Sequence, residues 1–445
     1  MPTVGRLFYD VVMKVTIFAL GSRGDVQPFL ALAVGLQQAG HHVTLSAPYN
    51  FTDWIQSYGV HTHPVRWSIQ AFLKDPETQA AFKSRSIVRL IRVMRDGLSR
   101  GFMTANDDFW EAAQDAEYVV QTLPLMCGVE VADQRNIPLA YAYVMPLYAP
   151  PTRAFPAFGI PSRFSLGSGY NRLTYALGWG ITSLFPSLLS PLNQWRAARL
   201  GLPPWRSAWE SLNAHRELGT PSLYGYSPTV LPKPPDWEDH HHITGYWFLD
   251  APPDWQPPAD LLRFLESGSP PIYIGFGSMS DEDPERLTRL TLRALELTGQ
   301  RGILATGWGG VTQLASSTQV YYLDNAPHDW LFPRMAAVVH HGGAGTTGAG
   351  VRAGVPSIIT PFGLDQYAWA DLVVKLGVGP RAPGIKTLTA EKLAEAINTA
   401  VNDSSMRARA AALGEKIRAE NGATRAVEII ERHAAEFKQR ARGKF

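Results

Sequence analysis

The chain is short of cysteine and has no long hydrophobic run. It has a single cysteine, Cys127, in 445 residues, which excludes an internal disulfide framework and favours a reducing compartment. No apolar stretch reaches the roughly 18 residues that a membrane-spanning helix needs, and the first residues lack the apolar core of a signal peptide. We therefore expect a cytoplasmic protein, with peripheral contact to a membrane left open.

An excess of charge of one sign is also missing. The 41 Lys and Arg residues nearly balance the 39 Asp and Glu residues, and the only basic run is the short tail Lys438–Phe445. This balance gives no indication of a nucleic acid partner. With 45% apolar residues the chain is expected to fold, and its length predicts two domains.

Two features that sometimes carry chemistry are expected to be structural. Cys127 lies in the apolar stretch LPLMCGVEVA, where a buried thiol is ordinary. The adjacent residues His240–His242 cannot all face one way on a strand, and no cluster of further ligands lies near them in the sequence. We therefore expect no metal site.

Strand and helix patterns alternate in both halves of the chain. Apolar, β-branched runs predict strands at 14–20, 41–48, 118–123 and 138–146, and then at 272–278, 302–307, 320–324, 336–341 and 356–361. Helical patterns lie between them at 26–39, 104–115, 284–298, 345–353 and 365–376, and follow at 390–401 and 405–419. Such alternation predicts α/β domains with parallel sheets covered by helices.

Composition changes mark the domain limits. A segment rich in proline and tryptophan, 236–258, predicts a linker between a first domain at 13–235 and a second at 259–425. Residues 426–445 are expected to form a C-terminal helix and basic tail, which could return to the first domain. The apolar, aromatic region Pro150–Leu202 breaks the alternation, and it is either irregular helical packing, the wall of a cleft for an apolar ligand, or a membrane-facing patch.

The stretch Val338–Thr347, VVHHGGAGTT, is the most informative motif. It has the pattern of a strand that enters a glycine-rich turn and opens a helix. Glycines let backbone N–H groups approach an anion, and a helix N-terminus adds unpaired donors and the positive end of a dipole. The motif therefore predicts a site for a pyrophosphate, and in open parallel sheets such a site lies at the carboxyl ends of the strands.

Five motifs in order, GSRGDVQP, IYIGFGSM, APHDWLFP, VVHHGGAGTT and PFGLDQYAWA, resemble the UDP-dependent glycosyltransferases of the GT-B fold, family 1. The resemblance spans nearly the whole chain from Met13 and points to the bacterial and fungal sterol and natural-product glucosyltransferases. It implies two Rossmann-like domains that face each other across a cleft, with the acceptor bound by the first domain and the nucleotide sugar by the second.

The resemblance implies roles for residues around the donor phosphates. His341 matches the histidine that contacts the diphosphate, and Gly343, Gly345 and Thr346 lie in the same turn. Ser278, after the strand IYIGFG, matches a hydroxyl near the phosphates.

Further matches concern the binding of the sugar and of the uracil. Asp365 and Gln366 match an acid–amide pair that holds sugar hydroxyls, which favours glucose without excluding other hexoses. Ala326 and His328 lie in the stretch Asn325–His328, which resembles the one framing the uracil. Many relatives have a tryptophan at the position of Asn325, and because it is missing here Trp308 is our candidate for the stacking residue.

Asp25 is the candidate general base. In GDVQP it occupies the position where many relatives carry a histidine, and the sterol-type branch also has Asp there. A carboxylate can take the proton of a hydroxyl that attacks the anomeric carbon. As an alternative, Asp25 caps the following helix, since Ser22–Asp25 has the spacing of a capping box. Asp365 could likewise be a helix cap, and His341 could serve only to satisfy a buried turn.

The resemblance implies an inverting hexosyltransferase that needs no metal and takes a lipophilic acceptor such as a sterol, triterpenoid, macrolide, polyketide or flavonoid. Two alternatives remain. Gly343-x-Gly345-x-x-Gly348, with Asp365 20 residues after Gly345, meets the fingerprint of a nicotinamide-dependent oxidoreductase. A non-catalytic binder of a lipophile or a nucleotide sugar is the other. Arg23 is left open as a surface charge or a cleft residue.

Overall fold

A computed structural model describes residues 12–84, 86–146, 148–160, 165–184, 190–215, 219–252, 254–277, 283–306, 311–313, 318–363 and 365–442. Two separate sheets run through these residues, and every strand pair in both is parallel. The predicted α/β architecture with two parallel-sheet domains is thereby confirmed.

The first sheet has seven strands in the order β3-β2-β1-β4-β5-β6-β7. They are β1 (Lys14–Phe18), β2 (His42–Pro48), β3 (His61–Val65), β4 (Tyr118–Gln121), β5 (Leu139–Tyr143), β6 (Ser222–Tyr224) and β7 (His241–Ile243). The helices of this half are α1 (Arg23–Gln38), α2 (Thr52–Gln56), α3 (Ile69–Lys74), α4 (Pro76–Lys83), α5 (Ile87–Ala112), α6 (Gly128–Arg135), α7 (Ser168–Leu184), α8 (Ser190–Leu200) and α9 (Ala208–Asn213). The central strands β1 and β4 are buried. The loop between β1 and α1 lies at the carboxyl edge of the sheet, because it directly follows β1.

The second sheet has five strands in the order β10-β9-β8-β11-β12. They are β8 (Ile272–Gly275), β9 (Gly302–Ala305), β10 (Val320–Leu323), β11 (Ala337–His340) and β12 (Ser357–Ile359). The helices are α10 (Ala259–Glu266), α11 (Pro284–Thr298), α12 (His328–Leu331), α13 (Ala344–Ala353), α14 (Gln366–Leu376), α15 (Ala390–Asn402), α16 (Ser404–Arg418) and α17 (Gly422–Arg442). The central position of β8 and β11 places the turns that follow them side by side.

Helix α5 is much longer than the pattern at 104–115 predicts. Gly97 and Gly101 lie inside it and weaken the helical signal in the sequence. A Cβ atom at Gly97 would lie 2.1 Å from the ring of Phe72, and one at Gly101 the same distance from the ring of Trp67. The two glycines are thus required where Phe72 of α3 and Trp67, which follows β3, pack on α5. Sequence periodicity does not reveal such a tertiary contact.

Two parts of the chain differ from the simple division into domains and linker. Strand β7 falls within 236–258, the predicted linker, and pairs with β6 in the first sheet. Helix α17 leaves the second domain and packs against α1, where Ile430 is fully buried in a cluster with Leu30. The Tyr118 hydroxyl and His433 Nδ1, 2.8 Å apart, add a buried hydrogen bond between β4 and α17.

The two halves share one apolar core at their junction. Tyr226, just after β6, has its ring centroid 6.5 Å from that of Trp369 in α14. Tyr246 packs on α13 so closely that a Cβ atom at Gly348 would lie 2.8 Å from its ring. Among the described residues, no helix is both long and apolar enough to cross a bilayer.

If α17 is an integral part of the first domain, Ile430→Ala should lower the free energy of unfolding by about 2–5 kcal/mol, because the substitution leaves a cavity in a closed core. Urea unfolding followed by tryptophan fluorescence would measure this. Glu428→Ala, an exposed change on the same helix, should shift stability by less than about 0.5 kcal/mol. Equal effects of the two substitutions would show that α17 is only loosely attached.

Candidate active site at the domain interface

The turn between β1 and α1 fixes the position of Asp25. The backbone N–H of Ser22, the residue before α1, donates to Asp25 Oδ2 at 2.7 Å, and the Ser22 hydroxyl donates to the same oxygen at 2.9 Å. Gly21 permits this geometry, because its φ is +127° and a Cβ atom there would lie 2.4 Å from Asp25 Oδ2. The carboxylate is therefore held rigidly at the carboxyl edge of the first sheet.

Only one oxygen of Asp25 is used in this cap. Oδ1 accepts no hydrogen bond from the residues that the structure describes. The Asp25 residue keeps contact with solvent, and partial desolvation by the surrounding protein raises the pKa of its carboxyl above the ordinary value. The cap and the base are thus compatible roles, one for each oxygen.

The turn after β11 leads into the start of α13. Gly342 has φ of +95°, where a side chain would be strained and would strike Ile359. Gly343 is the N-cap of α13, and the first of its residues to bond back is Thr347, whose N–H donates to the Gly343 carbonyl at 2.9 Å. The N–H groups of the first turn, including that of the exposed Gly345, are therefore free to bind a ligand.

His341 projects from this turn into the interface. Its ring lies between two glycines, since Cβ atoms at Gly277 and Gly343 would come within 2.7 and 2.5 Å of it. Burial lowers the pKa of His341 to about 4, so the ring is neutral at neutral pH. Its buried Nδ1 atom has no hydrogen-bond partner among the described residues.

The preceding histidine takes the structural role that was an alternative for His341. His340 is fully buried at the end of β11, and its Nδ1 atom accepts the backbone N–H of Gly342 at 3.1 Å. His340 therefore satisfies the turn, which leaves His341 available for a ligand.

His328, at the start of α12, completes the wall of the second domain. Its ring stacks on Phe332, with centroids 4.1 Å apart, and Ala326 just before it is buried. Burial lowers the pKa of His328 to about 4, and the nearby positive charge of Arg23 acts in the same direction. The uracil-framing stretch expected from the sequence thus faces the first domain at Arg23.

Arg23, which the sequence left open, lies at the interface. Its guanidinium lies 4.7 Å from the ring centroid of Trp54, and its burial lowers the pKa of the group. No carboxylate of the described residues pairs with it. A half-buried cation without a counter-ion, next to His328, marks a position where an anion would be stabilised.

Asp365 and Gln366 lie where α14 begins. Asp365 makes no cap hydrogen bond to α14 with its side chain, so the alternative capping role is not observed. Burial raises the pKa of Asp365, and the negative charge of Asp25 raises it further. The negative charge of Asp25, from the first domain, therefore acts on Asp365 of the second domain.

Gln366 differs in part from what the sequence suggests. Its Oε1 atom accepts the backbone N–H groups of Phe362 at 2.7 Å and of Gly363 at 3.3 Å. The side chain thus stabilises the loop after β12, and only its NH₂ group remains for a sugar hydroxyl. Because these donors belong to a loop backbone, no sequence pattern indicates this role.

The remaining candidates separate into three groups. Thr346 is partly exposed in the first turn of α13, whereas the neighbouring Thr347 hydroxyl is buried. Ser278 and Trp308 lie outside the described residues. Cys127 is buried in the first domain, and burial raises the pKa of its thiol well above the ordinary value, as expected for a structural cysteine.

The described residues contain no group of three or more His, Cys, Asp or Glu placed to hold a metal ion. The dinucleotide fingerprint also fits poorly. Gly348 is covered by Tyr246, and Asp365 stands at the start of α14 rather than at the end of β12, where the fingerprint needs its acid.

Family models match both halves of the chain. Residues 15–153 match the glycosyltransferase family 28 N-terminal domain, and residues 311–432 match the erythromycin biosynthesis protein CIII-like C-terminal domain. Two sterol 3-beta-glucosyltransferases, from Cryptococcus neoformans var. neoformans serotype D and Emericella nidulans, are each 35% identical over 94% of this chain. The chain spans only 27% and 30% of their lengths, so it corresponds to less than a third of these relatives.

Solved structures show the same two-domain architecture. The glycotransferase of kitacinnamycin matches 95% of this chain and 100% of its own, with a TM-score of 0.67 at 19% identity. The Streptomyces sp. SF2575 glycosyltransferase SsfS6, complexed with thymidine diphosphate, matches 94% and 99%, with a TM-score of 0.59 at 20% identity. These likenesses confirm the expected GT-B fold.

Acidification should destabilise the protein through the interface histidines. The folded-state pKa of His341 is about 4, below the 6.5 of free imidazole, so between these values the unfolded chain binds a proton that the folded chain does not. The free energy of unfolding therefore falls as pH falls from 6.5 to 4. Melting temperatures measured over this range should fall less steeply for His341→Gln than for wild type. The exposed His42→Gln is the control, and a slope for His341→Gln equal to that of wild type would contradict the assignment.

Proposed function

Because this chain belongs to the glycosyltransferases of the GT-B fold, we propose that it transfers a hexose, most favourably glucose, from a UDP-sugar to a hydroxyl of a lipophilic acceptor. A sterol is the favoured acceptor class, since the sterol 3-beta-glucosyltransferases align with nearly the whole chain. The observation that carries the proposal is the position of Asp25. Its unused oxygen lies in the cleft within electrostatic reach of Asp365, and the open N-terminus of α13 belongs to the same interface.

The donor diphosphate is proposed to bind at the start of α13. The first-turn N–H groups and the helix dipole favour a negative charge there, and His341 adds a donor from the same turn. Arg23 reaches the interface from the first domain and would supply the charge that neutral histidines do not. No metal ion is invoked in this proposal, since Arg23 and the positive end of the α13 dipole offset part of the diphosphate charge.

The transfer step follows from the two carboxylates. Asp25 Oδ1 takes the proton of the acceptor hydroxyl as its oxygen bonds to the anomeric carbon from the side opposite the phosphate. The bond from that carbon to the phosphate oxygen breaks, its electron pair leaves with the nucleoside diphosphate, and the configuration inverts. Burial, which raises the pKa of Asp25, makes the carboxylate a stronger base. Asp365 and the Gln366 NH₂ group would hold the sugar hydroxyls.

A cavity in the first domain is the proposed acceptor site. It is lined by Tyr141, Tyr143 and Tyr148 together with the charged residues Arg172, Asp236 and Glu238. Behind the cavity, ring contacts continue through the buried core from Tyr143 to Tyr224 and Tyr226, with centroids 5.6 and 6.0 Å apart, and then to Trp369 beside Asp365. A flat molecule with an apolar body and one hydroxyl would contact both the rings and the polar groups of this lining.

Incubation with UDP-glucose and a panel of sterols, macrolides and flavonoids should give a hexose-shifted product, detected by mass spectrometry. Asp25→Asn should lower kcat by about 10²–10⁴-fold, since the amide keeps the cap but cannot take a proton. UDP binding by the variant should stay within about twofold of wild type, because Oδ2 belongs to the cap and not to the donor site.

The controls separate the competing functions. Activity that persists in chelator supports a metal-free transfer, and dTDP-glucose in place of UDP-glucose tests the nucleotide. UDP binding without any product would favour a non-catalytic binder. The absence of both product and UDP binding would overturn the proposal.

Arg23→Gln should weaken UDP binding and lower kcat, each by about 10- to 100-fold, because one charge-assisted contact to phosphate is worth about 1.5–3 kcal/mol. Calorimetry with UDP and steady-state kinetics would measure the two effects. Arg23→Lys should recover part of the binding. Arg289→Gln, an exposed arginine on α11, is the matched control. If Arg23→Gln binds UDP as tightly as wild type, the cation acts elsewhere.

A further inference from the structure

Helix α7 has its polar and apolar faces reversed. Asn171, Thr174 and Tyr175 are buried beneath it, whereas Leu173 and Leu177 are 54% and 57% exposed. Leu166, just before the helix, is 84% exposed. In water the opposite arrangement is favoured, since each leucine gains free energy by leaving the solvent.

The reversal is built into the packing. Asn171 Nδ2 donates to the Arg153 carbonyl at 3.0 Å, and the Ser165 hydroxyl donates to Asn171 Oδ1 at 2.7 Å. The backbone N–H of Ala157 donates to the Thr174 hydroxyl at 2.8 Å. Three hydrogen bonds therefore hold the polar face inward, and rotation of the helix to bury its leucines would break them.

The segment of the chain that contains this helix carries charge of one sign, although Asp236, which accepts the backbone N–H of Arg153 at 2.9 Å, lies nearby. Residues 134–209 contain seven arginines and no aspartate, glutamate or lysine. Arg153 and Arg172 are exposed at α7, one on the segment beneath it and the other beside Leu173. The chain as a whole is nearly neutral, so an acid-free stretch of this length is a local feature.

We propose that the outer face of α7, Leu166, Leu173 and Leu177 with Arg172, binds the surface of an anionic phospholipid bilayer. The leucines would enter the boundary between headgroups and acyl chains, and the arginines would pair with lipid phosphates and carboxylates. An anionic bilayer is favoured over a protein partner because it needs no complementary shape and would interact favourably with both the exposed leucines and the exposed Arg172.

The surface also lies at the acceptor side of the molecule. Arg172 lines the same cavity as Tyr143 and Tyr148, which the proposed function assigns to the acceptor. A membrane-dissolved acceptor would then enter beside α7 without crossing water. The binding itself does not depend on the proposed activity, and it can be tested without any transfer reaction.

Sedimentation with vesicles of phosphatidylcholine containing phosphatidylserine is the test. The full chain should bind these vesicles, bind phosphatidylcholine alone more weakly, and be released as salt is raised. Leu173→Ser with Leu177→Ser should lower the partition constant by about tenfold or more, because two apolar anchors are lost. Leu297→Ser, which alters a 43% exposed leucine on α11 of the second domain, should bind as wild type does.

Several outcomes would overturn the inference. They are failure of the wild-type chain to bind any vesicle, and unchanged binding by the double variant. A third such outcome is that the wild-type chain self-associates whereas the double variant is monomeric. The outer face of α7 would then be an interface between two copies of the chain. Circular dichroism should show that the variants melt as wild type does, because both leucines are exposed. UDP binding, which α7 does not touch, reports independently on the donor site.

Discussion

The contact between α1 and α13 is the constraint on which the site depends. These helices begin at the carboxyl edges of the two parallel sheets and pack against each other across the interface. The N-terminal ends of the two helices contribute different groups to the site. Helix α1 contributes Arg23 and Asp25, and α13 contributes free backbone N–H groups and His341. The packing of Tyr246 on α13 and the return of α17 to α1 hold this alignment, because they tie both helices to the shared core.

The interface keeps Arg23, Asp25 and Asp365 partly desolvated and without a counter-ion among the described residues, which costs stability. The pKa of Asp25 and of Asp365 is raised by burial, and that of Arg23, His328 and His341 is lowered by burial, so every one of these groups is displaced toward its neutral form. Such a pattern is typical of a site that a ligand completes, because the ligand brings the counter-charges. A diphosphate would neutralise the positive charge of Arg23 and of the α13 N-terminus, and sugar hydroxyls would separate the two carboxylates.

The sequence predicted the elements that are buried on both faces, and it missed those that depend on tertiary contacts. Strands such as β1 and β11 are apolar runs and are found at the expected places. Strand β7 has the sequence HHI at a sheet edge, so it carries no hydrophobic signal. In the site, the turns that position His341 and Asp25 follow from motifs, but the separate role of His340 and the engagement of Gln366 depend on backbone donors. The position of Arg23 in the site depends on its proximity to His328 in α12 of the other domain, which no local sequence pattern indicates.

A crystal structure of the chain with UDP would test the central claim most directly, namely that one diphosphate is held jointly by the two domains. The account predicts phosphate oxygens within hydrogen-bond distance of the first-turn N–H groups of α13 and of His341, with the Arg23 guanidinium on the opposite side. Asp25 Oδ1 should remain free next to the phosphate that carries the sugar. A nucleotide bound elsewhere, or bound at α13 with Arg23 still stacked on Trp54 and distant from the phosphates, would contradict it.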